Sequence, residues 1–302
     1  MPTELLGAWD GCTLPPARHA GVPRAVFLVA PESFALATQS ATDNRYMRRD
    51  LDFDPQRARM QFHDLQRRLS EAGIPAISFA GRLDAPDAVF PNNVHATARG
   101  RLVIGAMRHP VRQAEARRSD IERFCVDLLG YREVIRLDPT QLTAELTGAL
   151  IIDRARDVGF CGLSERCDRR GAAAMHAAFG LSGTWCFDLA AGEYHTNVVM
   201  SVLAGRALVL APDGIADPAM VARLLTLYPR HILLDTAERD AFAGNCIALT
   251  PDGVWLSERA LDGLRPRSRT AFEAAGFALH AVALDELEKA GGSLRCMLGE
   301  FY

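Results

Sequence analysis

Two short segments of the chain carry residues that together could perform covalent catalysis. Cys296 follows the pair Gly291-Gly292, and glycine lets the backbone approach its neighbours closely and leaves the following residues accessible. The segment 194–197 supplies the imidazole of His195, a side chain that often acts as general acid or base near neutral pH. A cysteine becomes a strong nucleophile once deprotonated, and a nearby histidine promotes that step. The residue types therefore predict a reactive, exposed thiol at Cys296 with His195 as its acid and base.

Five polar segments follow one another at intervals of about fifty residues along the chain. They contain the acidic, amide, imidazole and thiol groups that an active site uses to bind a polar substrate and move protons. If the chain consists of repeated units around an axis, equivalent positions of the units converge, and the five segments would line one pocket. The polar residues of these segments are Cys296, His195, Glu145, Asp87, Asn92, Asn93, Asn197 and Asn245.

Each of these residues also has an ordinary structural interpretation. Cysteine is among the residue types most often buried as a small apolar side chain. A single histidine is commonly a hydrogen-bonded core residue, and Asp87 or Glu145 could cap a turn. The common spacing of the five segments favours a functional interpretation of the whole set. It is stronger support for that interpretation than any single motif.

The elements that must position these residues repeat as amphipathic helix, short turn and strand. In the first unit Phe62, Leu65 and Leu69 mark one face of a helix, and a β-branched and aromatic strand follows at 76–79. Four further strands are predicted at 134–137, 184–187, 231–234 and 277–282, each after a helix that ends at Gly or Pro. A doubly wound parallel sheet would also alternate helix and strand, but the glycine-rich phosphate-binding motifs typical of that fold are missing. We therefore predict one α/β domain built from repeated units.

The composition argues against several classes of partner. A net charge of -3, from 34 basic and 37 acidic residues, gives no electrostatic reason to bind nucleic acid or an anionic membrane. No apolar run approaches the ~20 residues that span a bilayer, and no secretory signal is visible, so we expect a cytoplasmic protein. The seven cysteines lack the spacings of zinc ligands, which predicts free thiols and no metal.

The phased set of motifs resembles the pentein superfamily of guanidino-group-modifying enzymes. This superfamily includes arginine deiminase, dimethylarginine dimethylaminohydrolase, agmatine deiminase and the amidinotransferases. The likeness extends from about Val26 to Tyr302 and is greatest to the amidinotransferase-like branch that contains citrulline-utilisation hydrolases. The segments that carry it are 87–93 (DAVFPNN), 147–154 (TGALIIDR), 194–200 (YHTNVVM), 242–245 (FAGN) and 291–297 (GGSLRCM).

The resemblance implies a fold and a set of roles. The fold would be an α/β propeller of five ββαβ units with pseudo-fivefold symmetry, formed by a single catalytic domain at 26–302 after an N-terminal extension at 1–25 of unknown role. The catalytic residues would be Cys296, which attacks the central carbon of a guanidinium or ureido group, His195, the general acid and base, and Glu145, which accepts hydrogen bonds from substrate nitrogens. The substrate-binding residues would be Asp87, Asn92, Asn93, Asn197 and Asn245. The partner would be a small amino acid of this kind, no cofactor would be required, and the chain could form a homo-oligomer.

The sequence departs from the arginine-hydrolysing members at two positions. Asn93 and Asn197 stand where those enzymes usually carry acids. A buried guanidinium needs compensating negative charge, whereas an amide both donates and accepts and so suits a neutral ureido group. The sequence therefore favours hydrolysis of citrulline to ornithine, ammonia and carbon dioxide. The alternatives are arginine or dimethylarginine hydrolysis, an amidinotransferase, and a non-catalytic binding protein.

Overall fold

The computed structural model describes residues 3–32, 34–48 and 51–302, which form five small β-sheets connected by helices. The strands are β1 (Glu4–Gly7), β2 (Ala25–Val29), β3 (Ala76–Phe79), β4 (His95–Ala98), β5 (Arg101–Ile104), β6 (Glu133–Arg136), β7 (Leu150–Asp153), β8 (Val158–Leu163), β9 (Gly183–Asp188), β10 (Met200–Leu203), β11 (Ala207–Leu210), β12 (His231–Leu233), β13 (Ile247–Ala248), β14 (Gly253–Ser257), β15 (Ala278–Val282) and β16 (Gly299–Phe301). The α-helices are α1 (Pro55–Glu71), α2 (Pro110–Gln113), α3 (Ser119–Arg123), α4 (Leu146–Ala149), α5 (Arg169–Phe179), α6 (Thr196–Val199), α7 (Pro218–Leu227), α8 (Thr236–Asp240), α9 (Glu258–Gly263) and α10 (Pro266–Ala274). Short 3₁₀-helices include Pro91–Asn93 and Leu294–Met297.

The same strand pattern recurs in each sheet. The first strand of a unit is antiparallel to the second, and the second is parallel to the third, as in β4, β5 and β6. Parallel neighbours need a long crossover connection, and in each unit a helical segment fills it. The five strands predicted from the helix and strand pattern are confirmed as β3, β6, β9, β12 and β15, with ends within one residue of the prediction.

Helix α1 shows how the sequence specifies one of these crossovers. Asp54 caps the helix by accepting hydrogen bonds from the backbone N–H groups of Gln56 and Arg57. The predicted apolar face is buried, because Phe62 and Leu65 are both at most 1 % exposed. The helix therefore covers its own sheet and leaves the polar residues of the unit at the strand ends.

The N-terminal segment adds a strand to one of the five sheets. Strand β1 pairs antiparallel with β9, and Trp9 packs edge-on against Phe160 with ring centroids 6.2 Å apart. Most of the predicted extension at 1–25 is thus part of the folded body, while Met1 and Pro2 lie outside the described residues. This pairing covers an edge that a three-stranded sheet would leave open.

The first strand of each unit begins directly after one of the five polar segments. Strands β4, β7, β10, β13 and β16 start two or three residues after Asn93, Gly148, Asn197, Asn245 and Cys296. Side-chain hydrogen bonds join neighbouring segments: Thr147 donates to the Asn92 carbonyl at 3.0 Å, Thr196 to that of Ala149 at 2.5 Å, and Ser201 to that of Gly244 at 2.9 Å. The strand starts therefore bring together segments that are far apart in sequence.

The seven cysteines are free thiols, as predicted, and all except Cys12 are buried. In the described part of the chain, no group of three or more His, Cys, Asp or Glu side chains is arranged to hold a metal ion. None of the helices described is long and apolar enough to cross a membrane.

Candidate active site

Cys296 lies in the single-turn helix Leu294–Met297, directly before β16. Gly291 has a φ of +76°, and a Cβ at Gly292 would lie 2.9 Å from the Phe90 ring, so the turn needs both glycines. The predicted close approach of the backbone is confirmed. The predicted exposure of the thiol is wrong, because Cys296 is 1 % exposed. The missing side chains let Phe90 and Asn44 pack onto the turn, and this packing buries the thiol instead of opening it.

Two amide groups hold the thiol of Cys296. The Nδ2 of Asn245 donates to Sγ at 3.3 Å, and the Nδ2 of Asn197 does so at 3.5 Å. A second bond from Asn245 Nδ2 to the Asn197 carbonyl, at 2.9 Å, fixes the two amides relative to each other. Burial raises the pKa of Cys296 above its ordinary value, and the amide donors oppose that rise. The amides predicted to bind substrate thus contact the sulfur atom.

His195 is fully buried and precedes helix α6. Its Nε2 is 2.9 Å from the Oε2 of Glu145, while Nδ1 has no hydrogen-bond partner. Because a carboxylate only accepts, the proton belongs on Nε2, and Nδ1 keeps a free lone pair. Burial lowers the pKa of His195 below 6.5, although Glu145 acts in the opposite direction. The residue therefore rests as a neutral imidazole that can take up a proton at Nδ1.

Glu145 is held from several sides by protein donors. Besides His195, its carboxylate accepts from Arg166 Nη1 at 3.1 Å and, more weakly, from the backbone N–H of Arg108 at 3.3 Å. Burial alone would raise the pKa of Glu145, but Arg166 and His195 lower it well below its usual range. Glu145 was predicted to accept hydrogen bonds from substrate nitrogens. In this geometry Glu145 lies behind His195, and it does not line the small cavity beside Cys296.

A small cavity of about 20 Å³ adjoins Cys296 and His195. Asp87 and Asn93 form part of its wall, and both Asp87 Oδ1 and Asn93 Oδ1 are buried without a hydrogen-bond partner. The other oxygen of Asp87 accepts a hydrogen bond from Ser40. Burial raises the pKa of Asp87, with Arg112 opposing the rise. The cavity is lined by Ser40, Asn44, Asp87, Phe90, Asn93, Arg112, Arg166, Tyr194, His195, Ala290, Gly292 and Cys296.

The predicted residues fall into three groups around this cavity. Cys296, His195, Asp87 and Asn93 line it, and Asn197 and Asn245 contact the thiol. Glu145 supports His195 from behind. Asn92 is buried with both side-chain atoms unpartnered but is not among the lining residues.

Comparison with known proteins shows to which family the chain belongs. The family model described as "N,N dimethylarginine dimethylhydrolase, eukaryotic" matches residues 30–302. The chain belongs to this family. Its relatives are members of the pentein superfamily of guanidino-group-modifying enzymes, as the sequence motifs indicated.

A curated relative and two solved structures agree with this assignment. The N(G),N(G)-dimethylarginine dimethylaminohydrolase of Mycobacterium tuberculosis is 27% identical over 289 residues, which cover 95% of this chain and 89% of the relative. The structure of the N-terminal domain of ArgZ, an arginine dihydrolase from cyanobacteria, has a TM-score of 0.78 at 18% identity and covers 91% of this chain and 97% of that domain. The structure of the dimethylarginine dimethylaminohydrolase of Pseudomonas aeruginosa with citrulline has a TM-score of 0.71 at 19% identity, over 93% of this chain and 100% of that one. At these identities the structural likeness concerns the fold.

Sequence reasoning missed two arginines that line the cavity. Arg166 bridges Glu145 and Asp43, and Arg112 pairs with Glu115 at 2.8 Å. No local motif marks either residue, because Arg166 lies in a turn after β8 and Arg112 in the short helix α2. Their positions follow only from the packing of separate units around the cavity.

Proposed function

We propose that this protein is a hydrolase that cleaves a C–N bond at the central carbon of a guanidino amino acid, through a covalent intermediate on Cys296. The observation that supports this proposal most is that a thiol, a neutral imidazole and an unpartnered carboxylate oxygen share one buried cavity. The family of the chain favours the same chemistry, because the M. tuberculosis relative is named as a dimethylarginine hydrolase.

The wall of the cavity suits a guanidinium group. Asp87 is 2 % exposed, and its free Oδ1 and that of Asn93 are hydrogen-bond acceptors without a donor. A buried carboxylate oxygen without a hydrogen-bond donor is costly, and a guanidinium supplies both a positive charge and several N–H groups. A bound arginine-type substrate would satisfy both acceptors at once. Dimethylarginine is the first substrate to test, because of the family to which the chain belongs.

The proposed reaction begins with Cys296 and His195 both neutral. A substrate cation beside the sulfur lowers the pKa of the thiol, and His195 Nδ1 takes the proton. The thiolate attacks the guanidinium carbon to form a tetrahedral adduct, and the imidazolium returns the proton to the departing amine. His195 then deprotonates a water molecule that attacks the remaining amidino carbon. The C–S bond breaks, His195 returns its proton to the sulfur of Cys296, and the ureido amino acid leaves after its hydroxyl group has released a proton to solvent.

The neighbouring groups have supporting roles in this proposal. Asn197 and Asn245 stabilise the thiolate, because both point an N–H group at Sγ. Glu145 fixes the tautomer of His195 and stabilises the imidazolium. Arg112 and Arg166 are the cations that line the cavity, so they are the candidates to bind the substrate carboxylate. Because the cavity holds about one water molecule, its wall must move to admit an amino acid.

Citrulline remains the second candidate substrate. Asn93, on the cavity wall, is an amide where a carboxylate would suit a cation better, and this observation favours a neutral ureido group. Asp87 is compatible with a ureido substrate, because its pKa is raised and a protonated carboxyl group donates a hydrogen bond to the ureido oxygen.

The two candidates are separated by a substrate panel. Purified protein is incubated with dimethylarginine, arginine, agmatine or citrulline, and the amines, ammonia and amino-acid products are measured. We expect citrulline and dimethylamine from dimethylarginine, or citrulline and ammonia from arginine. If citrulline yields ornithine while dimethylarginine and arginine stay unchanged, the substrate is a ureido amino acid and the guanidino proposal is wrong.

We also infer that the five sheets surround a common axis as a propeller and that residues 26–302 form one catalytic domain. The hydrogen bonds that link neighbouring polar segments, such as those of Thr147 and Thr196, support a closed ring of units. Contact between Thr97 of β4 and the Glu300 carbonyl of β16, at 2.8 Å, supports closure between the first and last units.

A further inference from the structure

An arginine-rich groove lies at the far ends of the strands that begin at the candidate active site. Strands β4 and β7 start beside Asn93 and Gly148, and each runs for four residues before it ends in the groove. A strand of this length spans roughly 13 Å, so the groove is separate from the cavity beside Cys296. The groove has a volume of about 340 Å³, and its polar lining includes Arg18, His19, Arg99, Arg101, Arg154 and Tyr302.

Arg154 is the buried cation of this groove. It is 9% exposed, and its guanidinium carbon lies 4.2 Å from the centroid of the Tyr302 ring. Nη1 donates to the Thr97 carbonyl at 2.9 Å, whereas Nη2 is buried and has no partner. Among the described residues, no carboxylate lies within ion-pairing distance of Arg154. A buried guanidinium that lacks a counter-ion and keeps one N–H group without an acceptor is costly, and native proteins rarely leave one in that state.

The acids around the groove are already paired with other arginines. Asp157 pairs with Arg18 at 2.9 Å, and Glu133 pairs with Arg101 at 2.7 Å. Arg99 is exposed at the turn between β4 and β5 and has no side-chain partner in the described structure. Two cations, one buried and one exposed, thus remain without a counter-ion in the same groove.

A second, much smaller cavity behind Arg154 shows the same lack of negative charge. It has a volume of about 10 Å³ and is lined by Arg154, Arg295 and Glu300 among others. Arg295 pairs loosely with Glu300 at 3.5 Å, and its Nε is buried without a partner. Two arginines with unsatisfied N–H groups therefore face one carboxylate at this end of the molecule.

We propose that the groove is a second binding site, which takes a phosphate group between Arg154 and Arg99. Arginine matches phosphate oxygens through two parallel hydrogen bonds, and cations from separate segments can surround a tetrahedral dianion. A carboxylate would be satisfied by a single guanidinium and would leave the other cation unpaired. The phosphate can be free or part of a small metabolite, since the groove is open on one side.

Calorimetric titration of the full chain with inorganic phosphate tests this site. Ionic strength is held constant with chloride, and acetate is titrated in parallel. We expect phosphate to bind more tightly than acetate, and Arg99→Gln and Arg154→Met each to weaken phosphate binding about tenfold. Arg59→Gln is the matched control, because Arg59 is exposed on α1 without a partner in the described structure, and it should bind as the wild type does.

The exposed position of Arg99 makes the test independent of folding, even if Arg154→Met is unstable. Phosphate bound instead by Arg112 and Arg166 in the active-site cavity would be unaffected by Arg99→Gln. Unchanged binding in that variant, no phosphate binding by the wild type, or equal binding of acetate would each overturn the proposal.

Discussion

At the scale of single residues, the thiol and imidazole of the site rest in their neutral forms. Burial raises the pKa of Cys296 and lowers that of His195, so neither carries a charge near neutral pH. A neutral pair costs less to bury than an ion pair, and the charge that activates the thiol then arrives with the substrate. This arrangement explains how a reactive cysteine can be stored inside the protein.

The pH dependence of activity follows from the state of His195. The rate constant kcat/KM should fall as pH falls through the pKa of His195, which lies below 6.5, because the imidazolium cannot take up the thiol proton. Glu145 raises that pKa, so Glu145→Gln should move the acid limb to lower pH and reduce kcat roughly 10²–10⁴-fold. Glu165→Gln is the control, because its side chain is 66% exposed. If the acid limb of kcat/KM stays at the same pH in Glu145→Gln, Glu145 has only a structural role.

Ionised Asp87 should lower the free energy of unfolding while it favours substrate binding. Its pKa is raised above 3.8 in the folded state, so folding favours the protonated form, and stability is lost as pH rises through that raised pKa. Asp87→Asn should therefore increase the free energy of unfolding by about 1 kcal/mol at neutral pH, and not at low pH. The same change should raise KM for guanidino substrates. Urea titrations and kinetics check both effects against Asp84→Asn, whose carboxylate is 55% exposed. A lower free energy of unfolding for Asp87→Asn than for the wild type at neutral pH would show that ionised Asp87 does not destabilise the fold.

At the scale of elements, helix α4 approaches the site so closely that only glycine fits at one position. A Cβ at Gly148 would lie 2.6 Å from Asn93 Oδ1 and 2.8 Å from His195 Cε1. Gly148→Ala should displace both side chains, lower kcat/KM about 10²-fold and cost about 1–3 kcal/mol of stability. Gly73→Ala is the control: its φ of +71° makes alanine strained, but nothing lies within 4 Å of the new Cβ. Full activity in Gly148→Ala would show that Asn93 and His195 do not need their present positions.

The third strand of every unit was predictable, because each follows an amphipathic helix and a turn. The first strands were not predicted from periodicity. Strand β4 reads His-Ala-Thr-Ala and is buried along its whole length, so it lacks the alternation of apolar and polar residues that marks a half-buried strand. These strands came only from the resemblance to a known family, although they are the elements that carry the site.

The spacing of the five polar segments was enough to predict the site residues within them. The arginines that contact those residues were not predictable in this way. Arg166 contacts Asp43, which is more than a hundred residues earlier in the chain, and Glu145, which is 21 residues earlier. Such pairs arise from tertiary packing and have no local signal. The exposure of Cys296 was predicted wrongly for a related reason, since the glycines before it admit Phe90 from a distant segment.

At the scale of the whole molecule, the two ends of the fold meet at the sheet that follows Cys296. Strand β16 pairs with β2, and a Cβ at Gly299 would lie 2.1 Å from the Phe27 ring. Gly299→Ala should therefore open this contact and cost about 1–3 kcal/mol in the free energy of unfolding, which lowers Tm by several degrees. It should also reduce activity, because Cys296 is three residues away. The double variant with Phe27→Leu should recover part of the loss, and a wild-type Tm in Gly299→Ala would contradict the prediction.

The proposed reaction depends on Cys296 as its nucleophile. Its most direct test is kcat/KM of Cys296→Ala with dimethylarginine and arginine, alongside Cys125→Ala, which removes an equally buried thiol from another part of the core. We predict that Cys296→Ala keeps its fold, as judged by circular dichroism, and loses activity about 10⁴-fold or more, while Cys125→Ala retains it. Turnover by Cys296→Ala within tenfold of the wild type would show that Cys296 is not the nucleophile.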